Sequence, residues 1–170
     1  MLQLGARVAD RPLVRSIVHP VLIDLSQRFN ETSQLAPPTG ADIRFFDSVE
    51  CTQPVRVSSR LGVALPAHAT AVGKVLLASR SDEEVAKLVG RKLRAITEQT
   101  LIDRDLFFEE LAAVRRQGYA INRGESLQDI RAVAVPDIDL AEHTVAAVAI
   151  SVPAARGQIA KLRSFVPHIL

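Results

Sequence analysis

The part of this chain whose residue types and spacing could do chemistry is Leu65-Pro66-Ala67-His68-Ala69-Thr70-Ala71-Val72-Gly73-Lys74-Val75-Leu76-Leu77-Ala78. Small residues run into a helix that should begin near Thr70. The first amides of a helix have no intrahelical acceptor, point outward and suit an anion, typically a carboxylate or phosphate. Small side chains let a ligand come close to that backbone. The same residues also fit a packed loop with Thr70 as an ordinary N-cap. Residue types alone leave both readings open. His68 is expected to tie the loop to a sheet rather than to bind a ligand. Lys74 either snorkels to solvent or helps attract an anion.

Other chemistry is poorly represented. The histidines are His19, His68, His143 and His168, and none has another His or a Cys at metal-ligand spacing. There is no G-x-S-x-G elbow and no G-x-G-x-x-G. Gly73-Lys74 looks like the end of a P-loop, but His68 stands at the first Gly position and Val75 where Ser or Thr is needed. Asp137 and Asp139 read as a hairpin turn rather than a catalytic carboxylate pair. Cys51 has no activating neighbour and is expected to be passive. No catalytic residue, metal or cofactor is therefore expected.

Composition sets the frame. The chain has 170 residues, 48% hydrophobic and 24% charged, which is ordinary for one globular domain. A chain of this size buries roughly 70% of its unfolded surface. Bulk disorder is excluded, and no apolar run is long enough to span a bilayer. The net charge of +2 and the single Tyr, with no Trp, give little footing for nucleic acid. One Cys allows no internal disulfide, and a reducing, cytoplasmic location fits. After Glu142 the full charges are Arg156, Lys161 and Arg163, expected on a solvated helix face.

The elements that would position the segment follow from periodicity. A helix is expected over Pro12 to Phe29, with Val14, Ile17, Val21 and Leu25 as its apolar face and Pro20 kinking or splitting it. Pro37-Pro38 and Gly40 confine any strand in residues 31–40 to a short or edge position. Ile43 to Val49 and Gln53 to Ser58 read as strands. Ser81 and Glu84 form a capping-box pair. Asp103 caps a helix that buries Phe107, Leu111 and Val114 and stops at Gly118. Strands are expected at Tyr119–Asn122, Arg131–Val135 and Thr144–Val152. A last helix after Pro153 carries Ile159, Leu162, Val166 and Ile169. Paired strands and blocks of helices indicate an antiparallel α+β domain.

The Leu65–Ala78 segment resembles the signature of the isocitrate lyase regulator (IclR) family of bacterial transcription factors, in its effector-binding domain. Further stretches resemble the family in the same order: Leu4-Gly5-Ala6-Arg7, Ile17-Val18-His19-Pro20-Val21-Leu22, Arg116-Gln117-Gly118-Tyr119-Ala120, Gly124-Glu125-Ser126, Ala132-Val133-Ala134-Val135-Pro136 and Ile150-Ser151-Val152-Pro153. Several motifs in register are more specific than any one.

The resemblance implies a GAF-like fold, a curved antiparallel sheet of about six strands with helices on both sides. It implies that residues 1–11 end a linker from an N-terminal winged helix-turn-helix domain absent from this chain, and that residues 12–170 are the effector-binding domain. The function implied is binding of a small organic carboxylate, aromatic acids included, to modulate operator binding by the missing domain. The domain would assemble as a homodimer or homotetramer, touch DNA only through that other domain, and engage no membrane. The alternatives are a stand-alone GAF-like metabolite sensor and, more remotely, an enzyme acting on a small acid. The resemblance puts the effector carboxylate on the amides of Ala71 and Val72, polar contacts at Asn122 and Ser151, and walls at Val57, Leu65 and Ile130. Ala132 stands where a Cys can occur in the family and Ala149 where a Ser can. Both remove polar atoms and add room, so a larger or more apolar acid than a two-carbon one is expected. Arg131 should face away from Ala132 on an alternating strand.

Overall fold

A computed structural model describes residues 11–38 and 40–169; most of the expected linker therefore lies outside the described residues. The elements are α1 (Arg11–Phe29), β1 (Thr32–Ala36), β2 (Asp42–Ile43), β3 (Asp47–Val49), β4 (Leu65–Pro66), α2 (Ala71–Ala78), α3 (Asp82–Val89), α4 (Arg104–Gln117), β5 (Ala120–Arg123), β6 (Ile130–Ile138), β7 (Thr144–Pro153) and α5 (Ile159–Phe165). Among the described residues the main sheet has five strands in the order β3-β1-β7-β6-β5, and β2 pairs with β4 in a separate two-stranded sheet. Every pairing between these strands is antiparallel. The main sheet thus has five strands where about six were expected. No described helix is long and apolar enough to cross a membrane.

Both faces of the sheet are buried, and they differ in side-chain size. One face presents Ala120, Ala132, Ala134, Ala147 and Ala149 to the core shared with α2, α3 and α4. The other presents Ile121, Val133, Val135, Ile150 and Val152 to Leu25 of α1 and to Leu162, Phe165 and Val166 at the C-terminal end. The alternation in these strands is therefore small against large rather than polar against apolar, as a sheet covered on both sides requires. The alanine face lets α2 lie close to the strands. The branched face supplies bulk; full burial of each Val or Ile side chain is worth roughly 1.5–3 kcal/mol.

Local signals hold where they concern helix ends. The Thr70, Ser81 and Asp103 side chains accept from the amides of Gly73, Glu84 and Leu106, and Ser81–Glu84 is a complete capping box. Gly118 ends α4 in the left-handed conformation, and Phe107, Leu111 and Val114 are buried. The β6–β7 hairpin turns at Asp139, whose carboxylate accepts from the amides of Ala141 and His143, both at 2.9 Å.

Four sequence expectations need correction. First, α1 is not split at Pro20 but runs on as one helix, and of the expected apolar face Leu25 is buried while the rest of the buried stripe is shifted. Leu22, Leu25 and Ser26 are buried, whereas Ile17 and Val21 are exposed; Val18 and Phe29 pack beside the buried set. Second, residues 31–40 hold an interior strand. All five residues of β1 are buried, because β3 and β7 flank it and the Pro pair falls just beyond its end. Third, Ile43 to Val49 is divided between two sheets, with β2 on β4 and β3 on β1. Fourth, Gln53 to Ser58 is not a strand. Pro54 lacks a donor, Glu50 takes the Ser59 amide, and the Val57 carbonyl accepts from the Thr32 hydroxyl at 2.6 Å instead of from a ladder.

Arg163 is exposed as expected, but the other C-terminal charges have a different fate. Arg156 makes a bidentate pair with Glu31, Nε to Oε1 at 2.7 Å and Nη2 to Oε2 at 2.8 Å, and Lys161 lies 3.5 Å from the same carboxylate. Glu31 is completely buried. The cluster clips the α1–β1 junction to the chain that leaves β7. Removing one partner of a buried pair costs about 3–5 kcal/mol. Since Lys161 still serves Glu31, Arg156→Ala is expected to cost less, about 2 kcal/mol, read as a lower urea midpoint at unchanged slope.

Candidate functional site

The site is built around the start of α2. Strand β4 runs directly into a 3-10 turn, Ala67–Ala69, and then into α2. The turn and the helix touch closely at Gly73, where a Cβ would lie 2.1 Å from the Ala67 carbonyl oxygen. Only a residue without a side chain fits that contact. Of the first helix amides, Thr70 donates to Ala67 and Gly73 to the Thr70 hydroxyl. Helix geometry leaves the amides of Ala71 and Val72 without an intrahelical acceptor, at the edge of a cavity.

The cavity lies between this helix start and the alanine face of the sheet. All nine residues carried over from the family resemblance line it: Val57, Leu65, Ala71, Val72, Asn122, Ile130, Ala132, Ala149 and Ser151. The register explains the convergence. Asn122 on β5 faces Ala132 on β6, Ala132 faces Ser151 on β7, and Ser151 faces Thr32 on β1. Ala149 stands two residues before Ser151 on the same face. The cavity volume is about 40 Å³, room for on the order of three waters. Five further lining residues escaped the sequence reading: Gln34, Phe45, Arg60, Thr70 and Ser126. Thr70 stood inside the signature segment. The other four are brought in only by strand pairing and loop packing.

The polar residues differ in what they have free. Asn122 Nδ2 donates to the Ala69 carbonyl and to Ser126 Oγ, both at 2.9 Å, and its Oδ1 accepts from the amides of Gly124 and Glu125. Two donors and two acceptor positions are thus all used. Asn122 lines the cavity but chiefly pins the start of α2 to the turn after β5. Ser151 Oγ donates to Gln34 Oε1 at 2.9 Å. Gln34 is 2% exposed, and its Nε2 has no hydrogen-bond partner.

Lys74 neither snorkels nor lines the cavity. It is 1% exposed, and its Nζ lies 2.7 Å from Glu125 Oε1, 3.4 Å from Glu110 Oε1 and 3.3 Å from the Ile121 carbonyl. It fastens α2 to α4 and to the β5 turn. His68 is structural, but it ties the loop to segment 91–100 rather than to the sheet. Its Nε2 is 3.0 Å from the Arg94 carbonyl, and its ring meets Phe107 edge-on. Burial pulls its pKa below the ordinary 6.5, against the raising effect of the Arg94 carbonyl. The turn that carries Glu125 is held in turn by Thr97 and Thr100, whose hydroxyls donate to the carbonyls of Gly124 and Glu125. Arg131 points away from the cavity and donates to the Gly157 carbonyl, as alternation along β6 requires.

A small-residue loop, a helix start over an alanine floor and this strand order together define a fold family that comparison with known proteins can test. Residues 6–170 match the family described as bacterial transcriptional regulator IclR, C-terminal. The chain belongs to the IclR family. A probable transcriptional regulator, SauR of Cupriavidus necator, is 34% identical over 168 residues, 98% of this chain and 67% of that protein. The transcriptional repressor IclR of Escherichia coli is 37% identical over 144 residues, 83% of this chain and 53% of that protein. The chain thus spans about half to two thirds of the length of these IclR-family relatives. The inducer-binding domain of the PobR transcription factor from Acinetobacter, a double mutant in complex with 3-hydroxybenzoic acid, superposes with a TM-score of 0.83 at 28% identity, covering 91% of both chains.

Proposed function

We propose that this IclR-family domain senses a small organic acid in the cavity beside α2, and that occupancy modulates operator binding by an N-terminal winged helix-turn-helix domain. The observation that carries the reading is the pair of open amides at Ala71 and Val72 at the edge of the cavity. They would hold the carboxylate, while Val57, Leu65, Ile130, Ala132 and Ala149 enclose the body of the ligand. The small alanines at 132 and 149 favour an apolar body longer than two carbons. The volume as it stands suits a compact acid. An aromatic ring requires outward movement of the irregular segment that carries Val57 and Arg60. The complex of the PobR domain with 3-hydroxybenzoic acid supports a ring-sized ligand on this fold.

The relatives are transcriptional regulators, and the site suits binding rather than turnover. Ser151 is hydrogen-bonded to an amide rather than to an imidazole, so nothing activates it as a nucleophile. A regulator of bacterial operons works in the cytoplasm. Homodimers or homotetramers are the proposed working state. Leu13, Ile17 and Val21 are all exposed on α1 and supply an apolar surface that a second copy can cover.

Thermal melts against glyoxylate, pyruvate, aliphatic acids and hydroxybenzoates test the reading. A specific ligand at a hundred times its dissociation constant adds about 2.7 kcal/mol. That is a rise in Tm of roughly 5–10 °C for a domain this size. No rise with any acid overturns the sensor reading. A tighter fit for glyoxylate or pyruvate than for any longer acid overturns the preference for an apolar body and leaves the sensor standing.

A further inference from the structure

The β6–β7 hairpin reaches beyond the sheet that carries it. Strand β1 pairs with β7 no nearer the turn than Ala147, and β5 pairs with β6 no nearer than Ala134. From Asp137 and Ala146 outward to the turn, the two strands pair only with each other. A two-stranded ribbon is marginal in water by itself. This arm carries Ile138, more than half exposed, and Leu140, fully exposed at the turn. One exposed leucine is ordinary. Two large apolar side chains on an unsupported arm form a tip that the described residues of their own chain leave uncovered.

Helix α1 presents the counterpart. Leu13, Ile17 and Val21 are exposed and, at spacings of four, follow one face of the helix over about 12 Å. Since stripe and tip are both open to solvent, neither covers the other within one chain.

Charge pairs the two surfaces. Helix α1 has Arg11, Arg15 and His19 and no acid before Asp24, whereas the arm has Asp137, Asp139 and Glu142, and no Lys or Arg stands between Arg131 and Arg156. The Arg15 side chain stays half exposed while it serves Asp47. Opposite potentials favour arm on α1; like potentials disfavour α1 on α1 and arm on arm.

Placement makes the contact reciprocal. Leu25 belongs to the cluster of Ile150 and Val152, and Leu22 to that of Leu35 and Ala146. Moving back along α1 is therefore moving along β7 toward the hairpin turn, so the exposed stripe lies at the same end of the domain as the arm. Two complementary patches at one end can be exchanged across a single two-fold axis, which closes a dimer.

We propose that the β6–β7 arm of one copy seats Ile138 and Leu140 on the Leu13, Ile17 and Val21 stripe of a second copy, and that the exchange is mutual. This rests on the homo-oligomeric state proposed above and assigns it two surfaces.

Sedimentation equilibrium of the chain is the test. The wild type should dimerise. Ile17→Glu and Leu140→Glu both change exposed side chains, so each should keep its far-UV circular dichroism and raise the dimer dissociation constant at least about tenfold. In either variant alone, both contacts of the dimer carry a defect. In a mixed pair both defects fall on one contact and the other is whole, so an equimolar mixture should associate more tightly than either variant. A dimer that neither substitution weakens, or a mixture no tighter than the separate variants, overturns the arm exchange and leaves the homo-oligomer standing. A wild-type chain that stays monomeric at millimolar concentration overturns both, and shows that something other than a second copy covers α1. Acid sensing is untouched by either result.

Discussion

Lys74→Met should lower the stability of the domain by about 3–5 kcal/mol, the cost of removing one partner from a buried ion pair. The lysine is almost fully enclosed, and Glu125 across from it is 4% exposed. Without the ammonium, Glu125 Oε1 keeps only the Arg123 amide at 3.3 Å, and Oε2 has no partner to begin with. Water cannot reach the carboxylate to compensate. Methionine conserves the length of the side chain, so lost packing is a minor contribution. At about 2–4 °C per kcal/mol for a chain of this size, Tm should fall by roughly 10 °C. The charge explanation makes a second demand. Lys74→Met with Glu125→Leu should recover most of the loss, because a packed apolar pair can replace a buried ion pair at little cost. A double variant as unstable as the single one would show that packing, not the uncompensated charge, is responsible.

Gly73→Ala should damage stability and ligand response together. On helix propensity alone the change would gain about 1 kcal/mol. Sterics decide otherwise, because the new Cβ would lie 2.1 Å from the Ala67 carbonyl oxygen and 2.4 Å from its Cα. These are backbone atoms, and no flexible side chain can move aside. The Ala67 carbonyl also accepts from the Thr70 amide, so displacing it undoes the turn that precedes α2. Overpacking typically costs about 1–3 kcal/mol, and a backbone clash this deep belongs at the upper end. The amides of Ala71 and Val72 should shift with the turn, and the ligand-induced rise in Tm should disappear. Gly40→Ala is the control, since nothing lies within 4 Å of a Cβ there. Wild-type stability and ligand response in Gly73→Ala would refute the close-contact account.

Much of the local architecture was legible because it depends on residues a few positions apart. A cap needs a side-chain oxygen and an amide three residues on, which is why Thr70, Ser81 and Asp103 could be read from sequence. Gly118 could be read because ending a helix in the left-handed conformation favours a residue without a Cβ. The hairpin strands β6 and β7 were legible because their partner is the next element in the chain. The nine cavity residues came from the family resemblance, not from composition or periodicity. Strand register then accounts for their convergence, since Asn122, Ala132, Ser151 and Ala149 share one face of the sheet.

What the sequence alone could not decide depends on partners far apart in the chain. With Leu25 as the common residue, Val14, Ile17 and Val21 fit a helical period as well as Val18 and Leu22 do. Which stripe of α1 is buried is settled by the strands it packs on, not by the period. Strand β1 was expected to be short or at an edge because Pro37 and Pro38 follow it; it has five residues and is interior, because β3 and β7 pair with it on either side. Lys74 meets Glu125 from 51 residues away, Ser151 meets Gln34 across 117, and Arg156 meets Glu31 across 125. A charged or amide side chain carries the same local signature whether it is solvated or buried with a partner. Only the tertiary structure brings the partner within 3 Å, and with it the difference between a surface charge and a buried ion pair or hydrogen bond.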